Sequence, residues 1–240
     1  MRRLASSGVD PSPDIVDPIE AVAARMESIA APLAEDDGVR RFNELYLAVT
    51  RAVVVAERDA TFEDAAFLSR LDVVFADLYF AAIDDLEAGR KPSRAWAPLF
   101  EARAKKGIAP LQFAIAGMNA HINHDLVLAL ITTTKEFGCG LDRDTPQHRD
   151  YVAVDPILQR VQDEIKGRFT TGAVRDLDRA GGVVDDLVAG WKVSRARDNA
   201  WTQAQILDAI GHSGFLRKQF LTALARNVGF AGRALLIRLP

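Results

Sequence analysis

The sequence predicts an all-α protein, a single-domain bundle of about seven or eight helices around one buried central helix. Three observations predict it. Apolar residues recur at three- and four-residue spacing along most of the chain, and clusters of Gly, Pro and Asp interrupt that spacing. One stretch, QFAIAGMNAHINHDLVLALITT from Gln112 to Thr133, is apolar nearly all the way round, as a helix buried on every side must be.

The chain has 240 residues, 49% of them apolar, enough to bury a substantial core. A net charge of −3 and a pI near 5.8 give no basic footprint for nucleic acid. One cysteine, Cys139 in the Gly-flanked loop FGCGL, excludes an internal disulfide and a thiolate metal cluster, and reads as a bystander. The start, MRRLASSGVDPSPD, has basic residues with no apolar region behind them, so it is not a secretory signal. The only long apolar run has a polar centre, so no segment reads as a membrane span. The expectation is a soluble, cytoplasmic protein.

In chain order, residues 1–17, with Pro11 and Pro13 and then Pro18, read as a flexible arm, and residues 18–240 as the domain. Ile19, Val22, Ala23, Met26 and Ile29 line one face of a first helix, which Pro32 helps to end. Asp36, Asp37 and Gly38 form a turn. A long second helix carries Phe42, Leu45, Tyr46, Val49 and Val53 on one side, with Asn43 and Glu44 as its polar residues of interest. Thr61 reads as the N-cap of a third helix, with Asp64 three residues on, and that helix ends at Gly89. In this apolar segment Asp72 and Tyr79, seven apart, share a face, with Asp77 on the flank. Residues 90–98 form an exposed connector pinned by Trp96, and a helical turn leads to Pro110 and the central helix.

FGCGLDRDTPQHRD then reads as a loop that leaves His148 in solvent. Asp155 and Pro156 open another helix. Gly181-Gly182 breaks the next stretch, and one long helix, or two with a joint near Gly190, follows. Trp191, Trp201, Arg195 and Arg197 read as packing residues, with Arg197 stacked on Trp201 four positions on. The break at Gly211-His212-Ser213-Gly214 makes Ser213 the cap of the last helix. Beyond Asp208 there are five basic residues (Arg217, Lys218, Arg226, Arg233 and Arg238) and no acidic ones. Such an end suits a solvated helix face, a membrane surface or an acidic partner.

The chemistry concentrates on the central helix, which carries Asn119, His121, Asn123, His124 and Asp125 in seven positions. Polar groups in a dry interior cost several kcal/mol unless they are paired, so the cluster is either a closed network or a site. His121, His124 and Asp125 lie three and four apart on one face, and Gly117 and Ala114 on that face leave room for a close neighbour. Two chemistries fit. His121, His124 and Asp125, joined by His212, form a ligand set for a divalent metal such as Zn, Fe or Mn, with Asp72 and Glu44 available by type. Alternatively Asp125 accepts the ring proton of His121 and orients it for acid–base work. The catalytic candidates are His121, Asp125 and Asp72, and the substrate-contact candidates are Tyr79, Asn119 and Asn123. No GxSxG elbow supports a serine triad.

The segments FNELYLAVTRAV, LDVVFADLYFAA, PLQFAIAGMNAHINHDLVLAL and GFLRKQFLTALARNVGFAGRALL resemble a family of unknown function abundant in actinobacteria, AGMNAHINHDL being the most distinctive part. The resemblance covers most of the chain after the arm. It implies a bacterial, cytoplasmic, α-helical protein and brings no established activity. The His-x-x-x-Asp spacing of His121 and Asp125 is also similar to that of the zinc-dependent phospholipase C and single-strand nuclease superfamily, which implies metal-dependent hydrolysis. That superfamily uses a ligating N-terminal residue and many histidines. This chain has four histidines and begins Met-Arg-Arg, so the likeness implies a one- or two-metal remnant instead of a three-zinc site.

Three functions follow as expectations. The first is an enzyme with a buried His/Asp site, metal-dependent and hydrolase-like. The second is a metal-free cyclase or isomerase of bacterial secondary metabolism, acting on an apolar small molecule. The third is a non-enzymatic helical interaction protein, the cluster serving only as a polar core. A homodimer is compatible with each. Substrate and metal identity are not written in the sequence, nor is the convergence of Asp72 and His212 on the central helix.

Overall fold

Helices follow one another wherever the sequence offers a cap and an apolar stripe. The structure is a computed structural model that describes residues 18–59, 62–161, 163 and 192–238. The expected arm, the Thr61 cap, Gly181-Gly182, the joint near Gly190 and Trp191 lie outside the described residues. α1 (Pro18–Ala30) begins at a proline and buries Ile19, Val22 and Met26. α2 (Gly38–Asp59) starts where the Asp37 carboxylate accepts the Val39 N–H at 2.8 Å, and the same carboxylate holds Arg103 at 2.6 Å. α3 (Ala65–Glu87) is capped by Asp64, whose side chain accepts from the Phe67 N–H, and Gly89 follows it with a φ of 67°. α4 is a short piece, Ala97–Ala102.

The central helix runs from Pro110 to Phe137 in three parts: α5 (Pro110–Ala120), a π-turn (His121–Asp125) and α6 (Leu126–Phe137). Pro110 occupies its first position, the Gln112 side chain accepts the Ala109 N–H at 2.9 Å, and Gly138 at φ 62° ends it. α7 (Pro146–Ala153) is capped by Thr145, and residues 155–161 are helical. α8 (Val193–Ala209) and α9 (Gly214–Leu235), the latter capped by Ser213 as expected, complete the bundle. The described residues form no strand, and AVVVA lies within α2.

The two halves of the central helix meet different neighbours: α5 packs on α2 and α9, and α6 on α3 and α8. Gly117 is what lets α2 approach, because a Cβ there would overlap the Phe42 ring. Two expectations are corrected. The stretch FGCGLDRDTPQHRD is not a loop throughout: Thr145 caps and Pro146 opens α7, placing His148 half-buried against Trp201, ring centroids 4.7 Å apart. Arg197 stacks over Tyr151 at 3.9 Å and not on Trp201, because Tyr151 also offers its carbonyl to the guanidinium.

Candidate active site at the π-turn

A helix widens at one turn when its N–H groups reach back five residues instead of four. Here the Leu126 N–H donates to the His121 carbonyl, so His121 through Asp125 form a single π-turn, a feature that recurs at functional sites. Within it His121 is fully buried and Asp125 2% exposed. Asp125 Oδ2 lies 3.1 Å from His121 Nδ1 and accepts from Trp96 Nε1–H at 2.9 Å, while Oδ1 lies 2.7 Å from His124 Nδ1. Burial alone would raise the Asp125 carboxyl, yet hydrogen bonds from His121 and His124 hold it below the ordinary carboxylate range. It is therefore ionised and can only accept, which places the proton of His121 on Nδ1 and leaves Nε2 with a bare lone pair.

That lone pair has no hydrogen-bond partner, although Nε2 is buried. Burial lowers the imidazole pKa and outweighs the Asp125 hydrogen bond, so His121 is neutral near pH 7. Its ring lies parallel to Phe75 at 3.6 Å, with Tyr46 edge-on at 4.5 Å and Phe42, Tyr79 and Trp96 within about 6 Å of its centroid. His121 stands on the wall of a cavity of about 100 Å³ bounded by α1, α2, α3, the central helix, residues 154–158 and α8. The polar residues on that wall are Tyr46, Thr50, Asp72, His121 and Arg197, and all the others are apolar.

The structure brings together four of the residues singled out in the sequence, Asp72, His121, His124 and Asp125. Asp72, half-buried on α3, lines the same cavity as His121, and Asp125 holds His121 from behind. The Tyr46 phenol is pushed well up by burial, helped by the charges of Asp72 and Asp125. Tyr79, Asn119 and Asn123 do not line the cavity. Tyr79 donates to Asn43 Oδ1 at 3.0 Å, Asn119 donates to the Val228 carbonyl of α9 at 3.0 Å, and Asn123 donates to Asn119 at 3.2 Å. These three use their polar groups to hold helices together.

The metal set does not assemble. His121 and His124 both direct Nδ1 at Asp125, and His212 is exposed on the turn between α8 and α9. Among the described residues no group of three or more His, Cys, Asp or Glu side chains is placed to hold a metal ion. Glu44 pairs with Arg40 and Arg41 at the surface. Cys139 has its thiol raised by burial, the opposite of activation.

Sequence reasoning missed Trp96 as the third donor to Asp125, and missed Phe75, Tyr46 and Arg197 as cavity wall. Trp96 had left a signal: an indole within a polar connector needs a partner for its N–H once it is buried.

A family model described as a family of unknown function (DUF5995) matches residues 19–238. No curated protein and no solved structure matches the chain.

Proposed function

We propose that this chain, which belongs to the family of unknown function whose model it matches, is a proton-transfer enzyme of the isomerase or cyclase kind acting on a small, largely apolar molecule. One observation carries the reading. The Nε2 of His121, a residue that lines an apolar cavity, is buried without a hydrogen-bond partner, while its Nδ1 is held by an ionised carboxylate. A polar atom abandoned in a core costs about 1–3 kcal/mol, a cost that a bound partner would relieve. A ligand that brings an acidic C–H, O–H or N–H to Nε2 supplies the missing partner, and a neutral, oriented imidazole is the form that removes a proton. Asp72 adds a carboxylate to the same wall. Apolar cavities of about 150 Å³ take up benzene, so about 100 Å³ suits a slim hydrocarbon portion.

Among the described residues no group of three or more His, Cys, Asp or Glu side chains is placed to hold a metal ion, which favours this reading over metal-dependent hydrolysis. The test is extraction of small molecules that copurify with the wild-type chain, then their incubation with fresh protein in deuterium oxide. The wild type incorporates deuterium into the extracted compound, and His121→Phe does not. Equal incorporation by both proteins, or by neither, overturns the proposal.

A further inference from the structure

The last helix presents a face that the interior does not use. On α9, positions 215, 219, 222, 226, 230 and 233 recur at intervals of four and three, so Phe215, Gln219, Thr222, Arg226, Phe230 and Arg233 share one stripe, and each is exposed. Phe215 is 70% and Phe230 78% exposed, and Ile237 just beyond the helix is 57% exposed. The opposite side fixes the helix to the protein: Gly229 and Gly232 lie against Arg94 and Pro98, and Asn119 donates to the Val228 carbonyl. The end of the chain is also electrically distinct. After Asp208 there are five Lys and Arg and no acidic residue, while the preceding part carries twenty-five basic against thirty-three acidic residues. The nearest carboxylate partner on the stripe is Glu101, 3.3 Å from Arg233, an exposed pair that contributes little.

We propose that the outer face of α9 docks the protein on an anionic lipid surface, lying on it without crossing it. Among the described residues no helix is long and apolar enough to span a membrane. The order of groups along the stripe selects lipid over a protein partner. Protein interfaces place apolar anchors at the centre and charges at the rim. Here aromatic rings stand about 22 Å apart, fifteen residues along a helix, and an arginine, an amide and a hydroxyl lie between them. Headgroups and water satisfy those central groups, and the rings enter the acyl boundary at either end. The inference does not depend on the chemistry at His121.

Flotation of the full chain with vesicles tests it, comparing phosphatidylcholine alone with phosphatidylcholine containing phosphatidylserine. The wild type binds the anionic vesicles, ignores the zwitterionic ones and is released as salt rises. Each cation near an anionic surface strengthens binding about fivefold, so Arg226→Glu, a change of two charges, weakens it about twentyfold. Phe215→Ser with Phe230→Ser weakens it by about tenfold or more, with an unchanged thermal melt as the fold control. Absence of binding at low salt, equal binding to both vesicles, or binding indifferent to these substitutions overturns the proposal. So does a self-association in solution that the Phe215→Ser, Phe230→Ser variant abolishes, which assigns the stripe to a second copy.

Discussion

Two of the buried polar clusters among the described residues are built on opposite plans. At the junction of α7 and α8, Tyr151 donates to the Arg197 carbonyl at 2.9 Å and Arg197 donates to the Tyr151 carbonyl at 2.5 Å. Arg197 also donates to Asp155 at 2.7 Å, and Trp201 donates to the Leu141 carbonyl at 2.8 Å. Donor meets acceptor throughout, and the guanidinium stacks on the phenol ring. At the π-turn, three N–H groups converge on Asp125, yet one buried nitrogen, His121 Nε2, meets nothing. A cluster that only holds helices together closes on itself. The cluster at the π-turn leaves one end unpaired on a residue that lines a cavity, and that difference is what the proposed function rests on.

The strongest way to break that contrast is Asp125→Ala. It strands the N–H groups of His121, His124 and Trp96 together, and since each buried donor left unpaired costs about 1–3 kcal/mol, the loss should reach about 3 kcal/mol or more. Urea unfolding should show a loss of that size, and a loss under about 1 kcal/mol would mean that the carboxylate is not the hub.

The next effect is on pH. Because burial holds His121 below its ordinary value of 6.5, the unfolded chain binds the extra proton first. The stabilisation is therefore complete above pH 6.5 and is lost as pH falls below it, with a slope of up to about 1.4 kcal/mol per pH unit for one proton. His148, also lowered by burial, titrates in the same sense and stays in place, so the informative quantity is the slope of the wild type minus that of His121→Phe. The Asp125 loss follows at lower pH, since that carboxyl is held below 3.8. A His121→Phe variant with the full wild-type slope would show that His121 is already charged in the folded protein.

The smallest effects separate the clusters most sharply. Tyr151→Phe removes a satisfied hydrogen bond and should lower stability by about 1 kcal/mol while leaving ligand turnover unchanged. His121→Phe removes an unsatisfied nitrogen together with one donor to Asp125, so its stability should stay within about 1 kcal/mol of wild type. Turnover of the extracted ligand should fall by about a hundredfold or more. The reverse pattern would exchange the roles of the two clusters.

The helical fold and the location of the site were legible because both are local. Spacing within one helix put His121 and Asp125 together, and Gly117 announced the close approach that Phe42 makes. Capping chemistry placed Ser213 correctly and would have placed α7, had Thr145-Pro146 been weighed above the Gly and Asp around it. What stayed hidden depends on pairs far apart in sequence. Nothing in a single chain couples Trp96 to Asp125, Phe75 to His121 or Tyr151 to Arg197. Tyr79, Asn119 and Asn123 looked like ligands for a substrate because a polar side chain on an apolar helix reads the same whether its partner is a ligand or a backbone carbonyl. The distinction between used and unused hydrogen-bonding capacity exists only in three dimensions.

The π-turn also sets the phase of everything after it. With 3.6 residues per turn, each residue advances a helix by about 100°, so one extra residue in a continuous helix turns the rest by that angle. α5 addresses α2 and α9, α6 addresses α3 and α8, and the five-residue reach from Leu126 to His121 lies between the two halves. Deleting one residue between His121 and Asp125 would let the segment close as a regular α-helix with its second half near its present phase, at the cost of the wide turn that seats His121. The same wide turn that seats the histidine takes up one residue more than an α-helical turn would.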